Sequence, residues 1–210
     1  MADSSDISPH LLVRAYCQGI FPMARGRHGP IDWYSPDRRA ILPLDRFHVS
    51  HSLRKQVKRG EYHLTRDAAF ERVIRECAEP RSYEADTWIS DEIVQVYTRL
   101  HRVGLAHSVE AWQHESEQGA ESSEPRRLLV GGLYGVALGG VFFGESMFNR
   151  ATDASKVCLV HLVEHLRRRG FTLLDVQYAS GHLIQFGVIE VHRDEYLRLL
   201  DQALSVAARW

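Results

Sequence analysis

Leu128-Leu-Val-Gly-Gly-Leu-Tyr-Gly-Val-Ala-Leu-Gly-Gly-Val-Phe-Phe-Gly-Glu-Ser-Met-Phe-Asn-Arg150, with Asp153-Ala-Ser-Lys156 two residues further on, is the stretch that decides the fold. Two apolar runs, Leu128–Leu138 and Val141–Met147, meet at the glycine pair Gly139-Gly140. Two strands closed by a two-residue glycine turn are a hairpin. The second run ends by setting a carboxylate, Glu145, among Phe142, Phe143, Met147 and Phe148. A carboxylate in apolar company must be paired, hydrogen-bonded or shifted in pKa, and function concentrates at such places. From this chemistry alone, a strand-end residue pointing at water is an equally good reading of Glu145.

Outward from the hairpin, the helix punctuation is clear. Asp153 opens a helix through Arg169 that Gly170 closes. Ser8-Pro9 sets a cap residue before proline at a first helical position, and Gly19 closes that segment. Ser50 to Arg59 reads as a short basic helix stopped by Gly60. Asp67 can cap a helix carrying Phe70, Val73, Ile74 and Cys77 at helical spacing, with Pro80 beyond it. Ser90, with Asp91 and Glu92 in the first turn, opens a helix ended by Gly104. Asp194 opens the last. Further strands are expected at His107–Trp112, Thr172–Gln177 and Val188–Val191. The polar stretch Gln113 to Arg127 is expected to be an exposed excursion between two strands. The order from Asp67 onward suits an α/β (α+β) layer on a mostly antiparallel sheet.

Composition narrows the function classes. The chain has 210 residues, 44% of them hydrophobic, which is enough for a real core. Its net charge of −1 supplies no global field for nucleic acid, so any RNA contact must rest on a local basic patch. No apolar run approaches the roughly 18–20 residues of a membrane span. The N-terminal residues lack the basic and apolar regions of a signal peptide. Cys17, Cys77 and Cys158 are few and scattered, which suits a reducing compartment. A cytoplasmic protein with no membrane or DNA partner is expected.

Asp175 and Gln177 lie two apart on an otherwise apolar strand and so share a sheet face. Arg54, Lys55, Lys58 and Arg59 cluster on one short helix, as phosphate-binding cations do and as an ordinary solvated helix face also does. His161-Leu-Val-Glu164-His165 matches the inverted zincin pattern. Only 45 residues follow it, and Glu190 and Glu195 are unpersuasive as a further ligand. We therefore read these histidines as helix-surface or packing residues.

Several blocks together resemble the leucyl/phenylalanyl-tRNA–protein transferase family. They are Gly19-Ile-Phe-Pro22, Trp33-Tyr-Ser-Pro-Asp37, Arg39-Ala-Ile-Leu42, Thr87-Trp-Ile89, Ala106-His-Ser-Val-Glu110, Gly131-Gly-Leu-Tyr-Gly-Val-Ala137, Gly144-Glu-Ser-Met-Phe148, Asp153-Ala-Ser-Lys156 and Leu174-Asp-Val-Gln177. They keep family order across nearly the whole chain.

The resemblance implies an N-acetyltransferase-like catalytic domain over residues 61–210, with a small tRNA-side domain over residues 1–60. It implies transfer of leucine or phenylalanine, with methionine as a further candidate, from aminoacyl-tRNA to proteins beginning with lysine or arginine. The product would carry a degradation signal of the N-degron route. The catalytic role falls on Asp175 and Gln177, with Glu145 recognising the acceptor's amine or cationic side chain. Leu133, Phe142, Met147, Phe148 and Leu162 are candidates for the aminoacyl side-chain pocket. A pocket of methionine and phenylalanine accepts a slender methylene neck and excludes β-branched isoleucine and valine. Trp33, Tyr34, Trp88 and Tyr97 are candidates to stack on the terminal adenosine, and Arg54, Lys55, Lys58 and Arg59 to hold tRNA phosphates. No metal or small-molecule cofactor is implied.

The chain departs from the family's common pattern at Met23, where tryptophan is usual, at Asn149 for serine and at Val176 for cysteine. The family's usual lead-in before Leu11 is also longer, so a trimmed small domain is expected. A coenzyme-A acetyltransferase on the same fold would need a glycine-rich pyrophosphate loop at a helix N-terminus. Asn149-Arg-Ala-Thr-Asp153 has no glycine and brings an acidic residue there instead. A non-catalytic RNA-binding relative of the transferases would have little reason to keep Glu145, Asp175 and Gln177 together.

Overall fold

The computed structural model describes residues 7–80, 86–114 and 127–210. Helix α1 (Pro9–Cys17) leads into a small antiparallel pair, β1 (Phe21–Ala24) and β2 (Ile31–Tyr34). Strand β3 (Arg38–Ile41), helix α2 (His51–Arg59) and strand β4 (His63–Arg66) follow, then helices α3 (Phe70–Ala78) and α4 (Asp91–Arg102). The central strands are β5 (Ala106–His114), β6 (Arg127–Leu138) and β7 (Val141–Asn149). Helix α5 (Ala154–Arg168) crosses to β8 (Leu173–Gln177). A single turn, α6 (Gly181–Ile184), strand β9 (Ile189–His192) and helix α7 (Arg193–Leu204) complete the chain.

Among the described residues, seven strands form one sheet in the order β4-β5-β6-β7-β8-β3-β9. Every pairing is antiparallel except β7 with β8, which α5 joins as a parallel crossover. That parallel pair matches only Val141 with Leu173, Phe142 with Leu174 and Phe143 with Asp175. Beyond Phe143 and Asp175 the strands are no longer paired, and a cavity opens between them.

Alternation along the strands feeds two cores, one on each sheet face. Phe143, Tyr134 and Val136 pack with Tyr16 of α1, Val73 and Ile74 of α3, Tyr97 of α4 and Leu200 of α7. Phe142, Leu133 and Leu174 pack with Leu53 of α2 and Cys158, Leu162 and Leu166 of α5. Burying both faces explains why β6 reads as an almost unbroken apolar run. No helix among the described residues is long and apolar enough to cross a membrane.

Two glycines are needed where they stand. Gly139 takes φ 55° in the hairpin turn, and a side chain there would strike the backbone of Leu204. At Gly135 a Cβ would run into the Phe143 carbonyl and the Phe142 ring.

Ser8, Ser50 and Ser90 cap their helices as expected, accepting from the backbone N–H of Leu11, Leu53 and Ile93. None of the three aspartates expected to open helices caps one: Asp194 lies in the first turn of α7, behind His192 at the cap position. Asp67 and Asp153 both adopt left-handed backbone, at φ 57° and 58°. Asp67 spends its carboxylate on the Ser108 N–H and on His107, and α3 starts without a side-chain cap. Asn149 replaces Asp153 as the cap of α5, its Oδ1 accepting from the Ser155 N–H at 3.0 Å. Strands β1 to β4 lie outside the strands the sequence suggested. Within the stretch read as an exposed excursion, β5 runs on to His114 and β6 begins at Arg127; residues 115–126 lie outside the described residues.

Candidate active site

The pairing of β6 with β7 slips by one residue at the site. Gly135 faces Gly144, but Tyr134 faces Ser146, so Glu145 is the extra residue of a β-bulge. A bulge bends the strand and re-aims a side chain. It turns Glu145 toward α1 and α4, where the Tyr16 hydroxyl donates to Oε1 at 2.6 Å and the Tyr97 hydroxyl to Oε2 at 3.1 Å. The two tyrosine oxygens also lie within hydrogen-bond distance of each other, and with one proton apiece the hydroxyls fill two of these three contacts at a time. Burial pushes the Glu145 carboxyl up to about 7, which the two tyrosine hydrogen bonds only partly oppose. Both tyrosines are held well above their ordinary range, again chiefly by burial.

Across the splay, Asp175 is fully buried. Arg39 grips it with Nε on Oδ1 at 2.9 Å and Nη2 on Oδ2 at 2.6 Å, the paired-fork geometry that makes such bonds strong. The Tyr196 hydroxyl donates to Oδ2 at 2.7 Å, and the Gln177 backbone N–H to Oδ1 at 2.9 Å. The Arg39 guanidinium lies between the rings of Phe21 and Tyr196, 4.4 and 4.7 Å from their centroids. Its Nη1 donates to the Gly19 carbonyl. Burial works against the Arg39 charge, yet the Asp175 carboxylate beside it keeps its pKa raised overall.

Gln177 stands at φ 56°, a left-handed conformation that costs a non-glycine residue of order 1 kcal/mol. The bond to Asp175 holds it there. From that position its Nε2 donates to Glu145 Oε1 at 3.3 Å. Asp175 and Gln177 thus meet as their spacing predicts, but only Gln177 reaches the cavity. The Asp175 oxygens are engaged by Arg39, Tyr196 and the Gln177 N–H, so an incoming amine finds no open face on them.

The cavity encloses about 810 Å³. Glu145 and Gln177 sit in its wall beside Leu133, Met147, Phe148, Leu159, Leu162 and Leu174. Phe142, expected in this wall, is absent from it. Its ring packs deeper in the same core, with Leu133, Leu162 and Leu174 and 5.3 Å from the Trp210 ring, because Phe142 lies in the paired part of the strand, before the lining begins at Gly144.

The adenosine candidates divide. Trp88 lines the cavity, as does Met23. Trp33 is 38% exposed on β2 and outside the cavity lining. Tyr34 stacks on Phe21. Tyr97 has no exposed face for a base, since it is wholly buried with its hydroxyl on Glu145. Arg54, Lys55, Lys58 and Arg59 are exposed on α2. Arg59 borders a second hollow of about 570 Å³ that shares Arg150 with the main cavity.

Sequence reasoning missed Arg39, Tyr16 and Tyr196 as site residues. A signal for Arg39 was present, one cation in the otherwise apolar Arg39-Ala-Ile-Leu42. The tyrosines carry none, because each sits at an ordinary core position of an amphipathic helix. On α5 the zincin-like histidines are otherwise employed. Arg66 Nη1 lies 2.7 Å from His161 Nε2, placing a fixed cation where a metal would bind, and the His165 ring packs edge-on against Trp210. Burial lowers the pKa of both histidines, His165 to about 4.

Comparison with known proteins agrees along the whole chain. The family model described as leucyl/phenylalanyl-tRNA protein transferase matches residues 41–201, and that of its N-terminal domain matches residues 5–37. A leucyl/phenylalanyl-tRNA–protein transferase of Salinibacter ruber is 50% identical over 205 residues, 98% of this chain and 84% of that one. The protein of the same name from Gloeobacter violaceus is 48% identical over 97% of each chain. Among solved structures, FemX aligns with a TM-score of 0.50 at 12% identity, over 83% of this chain and 62% of that one, a likeness of fold.

Proposed function

This chain belongs to the leucyl/phenylalanyl-tRNA–protein transferase family, and from that membership we propose how its cavity performs the transfer. The enzyme moves leucine or phenylalanine from aminoacyl-tRNA to the N-terminus of a protein. The acceptor nitrogen attacks the ester carbonyl carbon. A C–N bond forms, the C–O bond to the terminal ribose breaks, and an amine proton ends on the ribose oxygen. The ester is already activated, so catalysis rests on holding the partners in line and on steadying the oxyanion.

The observation that carries the reading is the meeting of Glu145 and Gln177 in one apolar-walled cavity. The aminoacyl side chain lies against Leu133, Met147, Phe148 and Leu162. The Gln177 carboxamide bonds the attacking nitrogen; as a neutral amide it positions rather than deprotonates. Glu145 receives the acceptor ammonium. Its pKa of about 7 is close to the 7.7–8.0 of an α-amine, so one proton passes between them at little cost. The acceptors begin with lysine or arginine, whose second positive charge suits a carboxylate-bearing site, and the product enters the N-degron route. Trp88 and Met23 meet the terminal adenosine, and α2 meets phosphates. Dependence on charged tRNA puts the reaction in the cytoplasm.

The test is transfer to an arginine-initiated protein from leucyl-, phenylalanyl-, isoleucyl- and valyl-tRNA. Labelling is expected from the first two. Equal labelling from isoleucyl-tRNA would remove the pocket assignment, and no labelling from any would remove the transfer.

A further inference from the structure

Resting on that reading, we infer that Arg39 is a positioning residue of the transfer site: it fixes Asp175, and through Asp175 the Gln177 carboxamide. The chain of contacts is short. The Arg39 fork takes both Asp175 oxygens, and Oδ1 then holds the Gln177 N–H at 2.9 Å. That N–H belongs to a residue at φ 56°, a conformation that persists only when its surroundings enforce it. Gln177 in turn points Nε2 at Glu145. Arg39 comes from β3, which lies between β8 and β9, and it also binds the Gly19 carbonyl and the Phe21 ring. Phe21 borders the cavity, so one buried cation sets the Gln177 arm and the β1 wall together. Arg39 is 1% exposed and lies outside the cavity lining. Tyr196 supports the same carboxylate from α7.

The arrangement predicts an effect on turnover rather than on affinity. Lysine keeps the charge of Arg39 but cannot form the fork. Arg39→Lys therefore leaves Asp175 free to rotate and the Gln177 arm loosely held. The expected loss in kcat is roughly 100-fold, the scale of a misplaced reacting group, with KM for leucyl-tRNA and for the acceptor unchanged. Tyr196→Phe removes one of the bonds on Asp175 and lowers kcat by about tenfold, again with KM unchanged.

A pH profile separates positioning from mere support. The Arg39 charge helps keep the Glu145 carboxyl down. The limb of the rate profile belonging to Glu145 moves upward in Arg39→Gln and stays in place in Arg39→Lys. If Arg39→Gln does not fold, Arg39→Lys and Tyr196→Phe decide the matter. Folded Arg39→Lys protein with wild-type kcat, or a loss confined to KM, overturns the inference. Inactive wild-type protein would instead overturn the transferase reading, before any variant is made.

Discussion

Glu145→Gln tests the electrostatics of the site through stability alone. The folded protein holds the Glu145 carboxyl at about 7 against an ordinary value of 4.5. Between those two values the folded state binds a proton that the unfolded state has released. Stability contributed by this group is therefore full below pH 4.5 and lost as pH rises through 7. A difference of that size corresponds to about 3 kcal/mol. Glutamine has nearly the same shape and does not titrate. Tyr16 and Tyr97 adapt to it, since a phenol hydroxyl donates to the amide oxygen and accepts from the amide nitrogen. Any fixed cost of the substitution cancels when the variant is compared with wild type at two pH values. Urea unfolding at pH 4.5 and at pH 8 should show the variant gaining about 3 kcal/mol on wild type between them. A gap that stays constant with pH would mean that Glu145 titrates as an ordinary exposed carboxylate, and the proton-acceptor role would go with it.

Gln177→Ala should fold with little loss of stability and lower kcat roughly 100-fold or more in the leucyl-transfer assay; near-normal turnover would remove the carboxamide from the chemistry. Asp175→Ala behaves differently, because it strands the buried Arg39 charge: about 3–5 kcal/mol of stability should go with the activity in thermal or urea melts. Gly135→Ala drives a methyl into the Phe143 carbonyl and should cost about 3 kcal/mol, read as a lower urea midpoint with unchanged slope. Reversing charge at Arg54 and Lys55 should raise KM for leucyl-tRNA and leave acceptor preference alone, and an unchanged tRNA dependence would take α2 out of the tRNA path.

Much of this fold is legible in the sequence. The hairpin at Gly139-Gly140, the serine caps and the helix–strand order after Asp67 are local features, and local chemistry decided them. Strand β3 was out of reach for the opposite reason: four residues closed by Pro43 carry no periodicity, and β3 joins the sheet only because β8 and β9 leave a slot between them. The Glu145 bulge is a matter of register between two strands, which neither strand states alone. Asp175 and Gln177 were visible as polar residues in an apolar strand. Their division of labour was not, since it depends on Arg39 arriving from 136 residues away. Phe142 looked like a pocket residue and Tyr97 like an adenosine platform for their type and neighbourhood, but Phe142 lies deeper in the core than the cavity wall and Tyr97 is wholly buried on Glu145.

The most direct test follows labelled leucine from leucyl-tRNA onto matched proteins that begin with Arg, Lys, Asp or Glu. Labelling of the Arg and Lys proteins alone, abolished by Gln177→Ala, is the expected result. Labelling of the Asp and Glu proteins would contradict the assignment of Glu145 to a cationic acceptor. No labelling at all, with leucyl-tRNA still bound, would contradict catalysis by this cavity.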